Sequence, residues 1–164
     1  MSPGEIVSYF NLLEESGWTY EERHAASGTP WWLARSSPPH PACVLHAGLS
    51  EGCLVLEMPF AIRPLPECRP ALWRYLLWVN GALRLAKFTL GPGDRLKLGA
   101  ELPSSSCNFT SFRDALSALR TYGAHYRREI ELLASHPPLA LAWLSLAPRS
   151  DEPRINIVSH ARET

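Results

Sequence analysis

The chain has 164 residues, 46% of them hydrophobic, enough to bury the core of a single domain. Sixteen lysines and arginines balance sixteen aspartates and glutamates, so no net field draws the protein to nucleic acid, an anionic membrane or an acidic ligand. The first ten residues, MSPGEIVSYF, read as helix and carry Glu5 where a secretory leader would be basic and then apolar, so a cytoplasmic protein is expected.

Residues 3–16 place Ile6, Phe10 and Leu13 on one helical face, with Gly17 as the stop. Residues 18–23 alternate large and polar side chains and read as a short strand or extended entry; residues 31–35 are a second strand. Residues 36–41 hold three prolines in six positions and cannot carry a sheet ladder, so they form a loop. Residues 43–49 and 53–60 then pair as a hairpin around Ser50-Glu51-Gly52, and prolines at 64, 66 and 70 lead into the next element.

Residues 72–103 change hydrophobic period twice. Leu72, Tyr75, Leu76, Val79 and Leu83 recur at helical spacing within a helix over 71–85. Phe88 and Leu90, then Leu96, Leu98, Ala100 and Leu102, alternate as in strands, joined by the turn Gly91-Pro92-Gly93-Asp94. Beyond the Ser104–Ser106 linker, Thr110 or Ser111 caps the longest helix, over 112–135, whose apolar stripe runs through Phe112, Leu116, Leu119, Gly123, Tyr126, Ile130 and Leu133. Residues 139–147 form a short packed helix, well under the twenty or so residues a membrane span needs. The reading is one domain over residues 1–147 and a polar, loosely held tail over 148–164.

No motif specifies a reaction. Gly48-Leu49-Ser50-Glu51-Gly52 fits the G-x-S-x-G nucleophile elbow, but a strand-like run follows where the elbow requires a helix, and His160, which would have to serve as base, lies in the tail. Ser50 is expected to be an ordinary hairpin residue. The four cysteines form no CxxC pair and read as buried small hydrophobes. A zinc site from His40, Cys43 and His46 is disfavoured because Cys43 and His46 would point to opposite faces of one strand. Asn108-Phe109-Thr110 is a chance glycosylation match, and no catalytic residue, metal site or cofactor is expected.

Six tryptophans exceed what one small core needs, and tryptophan and arginine are the types enriched at interface hot spots. Arg113, Arg120 and Arg127 repeat every seven residues along the margin of the long helix and line up on one side. With Trp31, Trp32, Trp73 and Trp78 they are the candidate partner-binding residues.

The segments FNLLEESGWTYEE, LWRYLLWVNGALRLAKFTLGPGDRLKLGAELP and SFRDALSALRTYGAHYRREIELL together resemble the YbjN family, whose fold is similar to that of type III secretion chaperones. In that family a helix ending in an asparagine-containing turn leads to a small-K/R-F strand, a Gly/Asp turn and a strand closing on ELP. Asn80, Lys87, Phe88, Asp94, Glu101, Leu102 and Pro103 fit that pattern. Read from the residues the elements run α-β-β-β-α-β-β-α, and with the resemblance the expectation is an α+β fold, a five-stranded antiparallel sheet with helices packed on one face. The resemblance also implies a non-enzymatic, chaperone-like or adaptor protein that binds another polypeptide, commonly as a homodimer. The alternatives are a small-ligand or metal-ion sensor on the same fold, or an accessory factor to a DNA-handling partner. Neutral charge argues against direct nucleic-acid binding.

Overall fold

The structure, a computed structural model, describes residues 1–14, 17–36 and 43–146. The chain begins with helix α1 (Pro3–Leu13), followed by strands β1 (Trp18–His24), β2 (Pro30–Ser36), β3 (Cys43–Ser50) and β4 (Cys53–Pro59). A 3-10 turn at Pro66–Cys68 leads into α2 (Arg69–Ala82), then β5 (Lys87–Gly91), β6 (Arg95–Pro103), the long α3 (Phe109–Ser135) and α4 (Pro137–Leu146). The six strands form one antiparallel sheet in the order β1-β2-β3-β4-β6-β5.

The expected α+β class and antiparallel sheet are present, but the sheet has six strands and the order is α-β-β-β-β-α-β-β-α-α. The difference comes from residues 18–24. They are a full edge strand, paired from Trp18↔Ser36 to His24↔Pro30, and Gly28 at φ 80 closes the turn between the two strands. Helix α4, foreseen as a short packed segment, follows α3 as a tenth element of the fold. The expected tail over 148–164 lies outside the described residues.

Alternation decides which face is buried. Tyr20, Ala34 and Leu45 are aligned across three strands, and Trp32, Ala47, Leu56 and Ala100 across four; Phe88, Leu98 and Met58 continue the same face at the other end. Helices cover this side. Phe10 of α1 stacks on Tyr20 and meets Phe112 of α3 edge-on, and Phe60 meets Phe88 edge-on. At Gly123 of α3 an added Cβ would come within 2.5 Å of the Met58 sulfur, so the helix lies closer to β4 than any larger residue would permit without moving that thioether.

Helix ends follow local chemistry. Ser2 and Glu5 form a capping box on α1. The cap of α3 is Asn108 rather than Thr110 or Ser111: its side chain accepts from the Ser111 N–H while Ser111 Oγ accepts from the Asn108 N–H. Helix α2 starts two residues before the expected 71, because Pro70 fits the first turn, and stops at Ala82 because Leu83 is extended and Leu85 has φ 64.

The junction between α2 and β5 is a side-chain lock. Asn80 Oδ1 accepts from the Phe88 N–H at 2.7 Å and Asn80 Nδ2 donates to the Phe88 carbonyl at 2.9 Å. Lys87 Nζ donates to the carbonyls of Asn80 and Leu83, each at 2.6 Å, which satisfies the C-terminal end of α2. Removing one hydrogen-bonding partner from a partly buried pair costs about 1–3 kcal/mol. Asn80→Ala is therefore expected to lower unfolding stability by that amount, read from the urea midpoint, whereas a change within about 0.5 kcal/mol would show the lock to be dispensable.

Candidate partner-binding surface

Arg113, Arg120 and Arg127 lie on α3 as a line of about 21 Å, at 1.5 Å per residue. Arg113 Nη2 is 3.5 Å from Asp114 and Arg127 Nη1 is 3.7 Å from Glu131, so two of the three charges face an adjacent carboxylate. The Arg127 guanidinium also lies 5.1 Å from the centroid of the Phe60 ring, a cation–π position. Arg120 is half-buried. It borders a cleft of about 250 Å³ where the end of α1, the start of β1 and the first half of α3 meet, lined by Leu13, Trp18, Leu116, Arg113, Asp114 and Ser117.

Both Arg120 and Arg127 favour the thiolate of Cys43, but burial outweighs them and pushes this thiol up to about 11. Cys43 points into the core and His46 lies on the other face of β3. His40 lies outside the described residues. Among the described residues, no three His, Cys, Asp or Glu side chains converge as a metal site would require. Ser50 pairs with Cys53 across a two-residue turn whose residues, Glu51 and Gly52, have φ 48 and 76. A strand-to-strand turn of this type gives the hydroxyl no helix end to work against.

The four candidate tryptophans occupy different places. Trp32 is fully buried in the core and offers nothing to a partner, a correction that follows from strand parity: neighbours in a strand face opposite ways. Its indole Nε1 is buried without a hydrogen-bond partner among the described residues. Trp31 lies on the open face of the sheet, edge-on to His46 and under the Arg23 guanidinium at 5.9 Å. Around it, Glu21 holds both Arg23 and Arg35, and Lys97 pairs with Glu57. Burial holds the His46 imidazole below its ordinary pKa. Trp73 is half-buried against the core. Trp78, 52% exposed, projects from α2 beside Leu77, which is 73% exposed.

The seven candidates thus do not form one site. The arginines sit on α3 at the helical side, Trp31 on the open sheet face, and Trp78 on the outside of α2. Sequence reasoning missed a further apolar surface on α4, where Leu139, Leu141 and Leu146 are exposed and only Ala140 is buried. A usable signal was present: PPLALAWLSL has no charged position with which to face water. The Tyr75 ring bridges the two helices, 6.2 Å from Trp78 and 5.7 Å from Trp143.

Replacing Arg113, Arg120 and Arg127 together by glutamine is expected to reduce stability by about 1 kcal/mol, chiefly through the loss of Arg127 over Phe60. A loss of several kcal/mol on chemical unfolding would make the line a structural element instead. The thiols give a second test. Cys43 and Cys68 are buried, with burial raising both thiol pKa values, whereas Cys53 is half-exposed. Maleimide at pH 7 is expected to modify Cys53 in the native protein and to reach Cys43 and Cys68 only on unfolding, as peptide mass mapping would show.

The fold is similar to that of a chain in the heterodimeric ExoU–SpcU complex from the type III secretion system of Pseudomonas aeruginosa. The TM-score is 0.52 at 17% identity, over 77% of this chain and 95% of that one. Chains from two other complexes match at lower scores. One is from the ExsC–ExsE complex, at TM-score 0.47 and 12% identity over 78% of this chain and 96% of that one. The other is from the complex of the Yersinia pestis type III secretion chaperone SycH with a stable fragment of YscM2, at TM-score 0.41 and 20% identity over 71% and 98%. No family model and no curated protein sequence matches the chain. At these identities the likeness is one of fold: the chain has the α+β architecture of the matched ExoU–SpcU chain, with which it aligns over most of its length.

Proposed function

We propose that this protein is a non-enzymatic, chaperone-like or adaptor protein that binds a partner polypeptide. The observation that carries the reading is the shared fold with a chain whose solved structure is a two-protein complex. Exposed apolar side chains on α2 and α4 support it, since large apolar residues outside a core mark interaction surfaces. Three of the residues on which the YbjN resemblance is read, Asn80, Lys87 and Phe88, form a connected set of hydrogen bonds at the α2–β5 junction. No described helix is long and apolar enough to cross a membrane. Four unpaired cysteines suit the reducing cytoplasm, where we place the protein.

The test is site-specific photo-crosslinking in cells of the source organism, with a photoreactive residue at exposed position 141 on α4 and a control at exposed Thr89 on β5. The expected result is one discrete heterologous polypeptide joined at 141 that re-forms a stoichiometric complex from purified components. Absence of any heterologous product from either position would remove the reading.

A homodimer is part of the proposal, with the α2 face around Leu77 and Trp78 as the contact between copies, because two large apolar side chains there lie in water on one chain. Sedimentation at micromolar concentration is expected to give twice the 18.3 kDa chain mass, and Leu77→Lys with Trp78→Glu to return it to 18.3 kDa. A wild-type monomer across the concentration range would overturn the dimer.

A further inference from the structure

We propose that the seam where α2, α3 and α4 meet, at Tyr75, Glu129 and Trp143, binds an arginine side chain of the partner polypeptide, with a neighbouring apolar residue of that partner resting on α4. The proposal rests on the partner-binding reading above and adds the chemistry of what is bound.

The three helices pack against one another in pairs. Tyr75 is 7% exposed, and a tyrosine buried to that degree ordinarily has its hydroxyl paired. Here the hydroxyl makes no hydrogen bond among the described residues, yet it is not sealed: the one sealed and unpaired side-chain polar atom among them is Trp32 Nε1. The Tyr75 oxygen therefore reaches water without a partner. Burial, then the charge of exposed Glu129, hold the Tyr75 phenol above its ordinary pKa; burial, then Tyr122 and Glu129, do the same at half-buried Tyr126. One carboxylate thus bears on both phenols. No lysine, arginine or histidine lies within ion-pair distance of Glu129 among the described residues, so the seam holds one negative charge that a single cation would complement.

Trp143 supplies an aromatic wall. It is half-buried, 5.7 Å from the Tyr75 ring and at 85° to it, so the two rings make a corner rather than a stack. A guanidinium is flat and weakly hydrated, and it stacks on an indole while its N–H groups donate to a carboxylate and a phenol oxygen together. An ammonium has neither the flat face nor the fork, and Glu129 repels an anion. Four residues before Trp143, on the same side of α4, Leu139 is 48% exposed. It gives an apolar neighbour of the arginine a place to rest, which favours a polypeptide over free arginine. Trp78, 6.2 Å from Tyr75, belongs to the contact between copies, and the site does not need it.

The test is nuclear magnetic resonance of the full chain, reading the indole N–H of Trp143, assigned through Trp143→Phe, during titration with capped peptides. GLRLG is expected to shift that signal to saturation. GLKLG, GLQLG and GGRGG are each expected to bind at least about tenfold more weakly, the ratio that one charge-assisted contact supplies. Glu129→Gln is expected to weaken GLRLG about tenfold and Glu129→Arg to abolish its binding, both with an unchanged unfolding midpoint because Glu129 is exposed. Tyr75→Phe deletes only an unpaired hydroxyl and is expected to weaken GLRLG about fivefold at unchanged stability; a merely structural tyrosine would leave the peptide affinity unmoved.

Equal affinity for GLKLG or GLQLG overturns the arginine site. So does argininamide binding as tightly as GLRLG, which would make the occupant a small molecule, and so does tighter binding of a peptide of residues 148–164, which would make it a part of this chain. The polypeptide crosslinked from position 141 is expected to lose at least about tenfold in affinity for Glu129→Arg. If GLRLG fails and that polypeptide binds Glu129→Arg as tightly as wild type, the site falls and the partner reading stands. If neither GLRLG nor any partner binds the wild-type chain, both fall.

Discussion

The fold depends on keeping one face of the sheet dry, and every strand must agree on which face that is. Side-chain direction reverses at each residue of a strand, so a slip of one position in any ladder would send Leu45 or Leu56 into water and bring an outward residue such as Glu57 inward. The register prevents this by lining up Trp32, Ala47, Leu56 and Ala100 across four strands. Large and small residues alternate along that row, which leaves room for the rings of α1 and α3 to settle into the sheet. The notch at Gly123 is the same solution on the helix side, because the Met58 side chain reaches into it.

This arrangement also explains why the chain offers several separate surfaces rather than one cleft full of chemistry. Helices take the apolar side, so polar and charged groups are left to the open face, where they neutralise one another. Glu21 is shared by two arginines, and Glu57 is held by Lys97. Exposed large apolar side chains lie on the far sides of α2 and α4, at Leu77, Trp78, Leu139, Leu141 and Leu146, and also singly at Leu12, Val44, Leu65, Leu85 and Leu90.

Much of the architecture was legible from period alone. The change from helical spacing in Leu72–Leu83 to alternation in Leu96–Leu102 fixes α2 and β6 without any tertiary information. Edges were harder. Residues 18–24 expose most of their side chains, so the alternation that marks a strand is carried only by Trp18 and Tyr20, too few to distinguish a strand from an extended lead-in. The capping residue of α3 was misread because Asn108, Thr110 and Ser111 are all good caps and only the backbone selects among them. In the candidate site, the arginine line was visible as a repeat of seven and its carboxylates Asp114 and Glu131 are local to the same helix, but the residues Leu13 and Trp18 beside Arg120 come from distant segments. Trp31 and Trp32 were grouped by residue type, though adjacent strand residues cannot share a surface.

The Asn80 amide has a consequence for how the protein behaves in a crowded cell. A terminal strand normally presents free backbone donors and acceptors, the template on which misfolded chains stack. At Phe88 both groups are occupied by a side chain that imitates the next strand, so the sheet is finished at β5 by its own helix. At the opposite edge β1 meets only β2 and relies on the charges of Glu21, Glu22 and Arg23 to discourage unwanted pairing. One outward donor and acceptor pair of β5 is thus closed by a side chain, whereas β1 depends on solvated charges, and only the second defence weakens as salt rises.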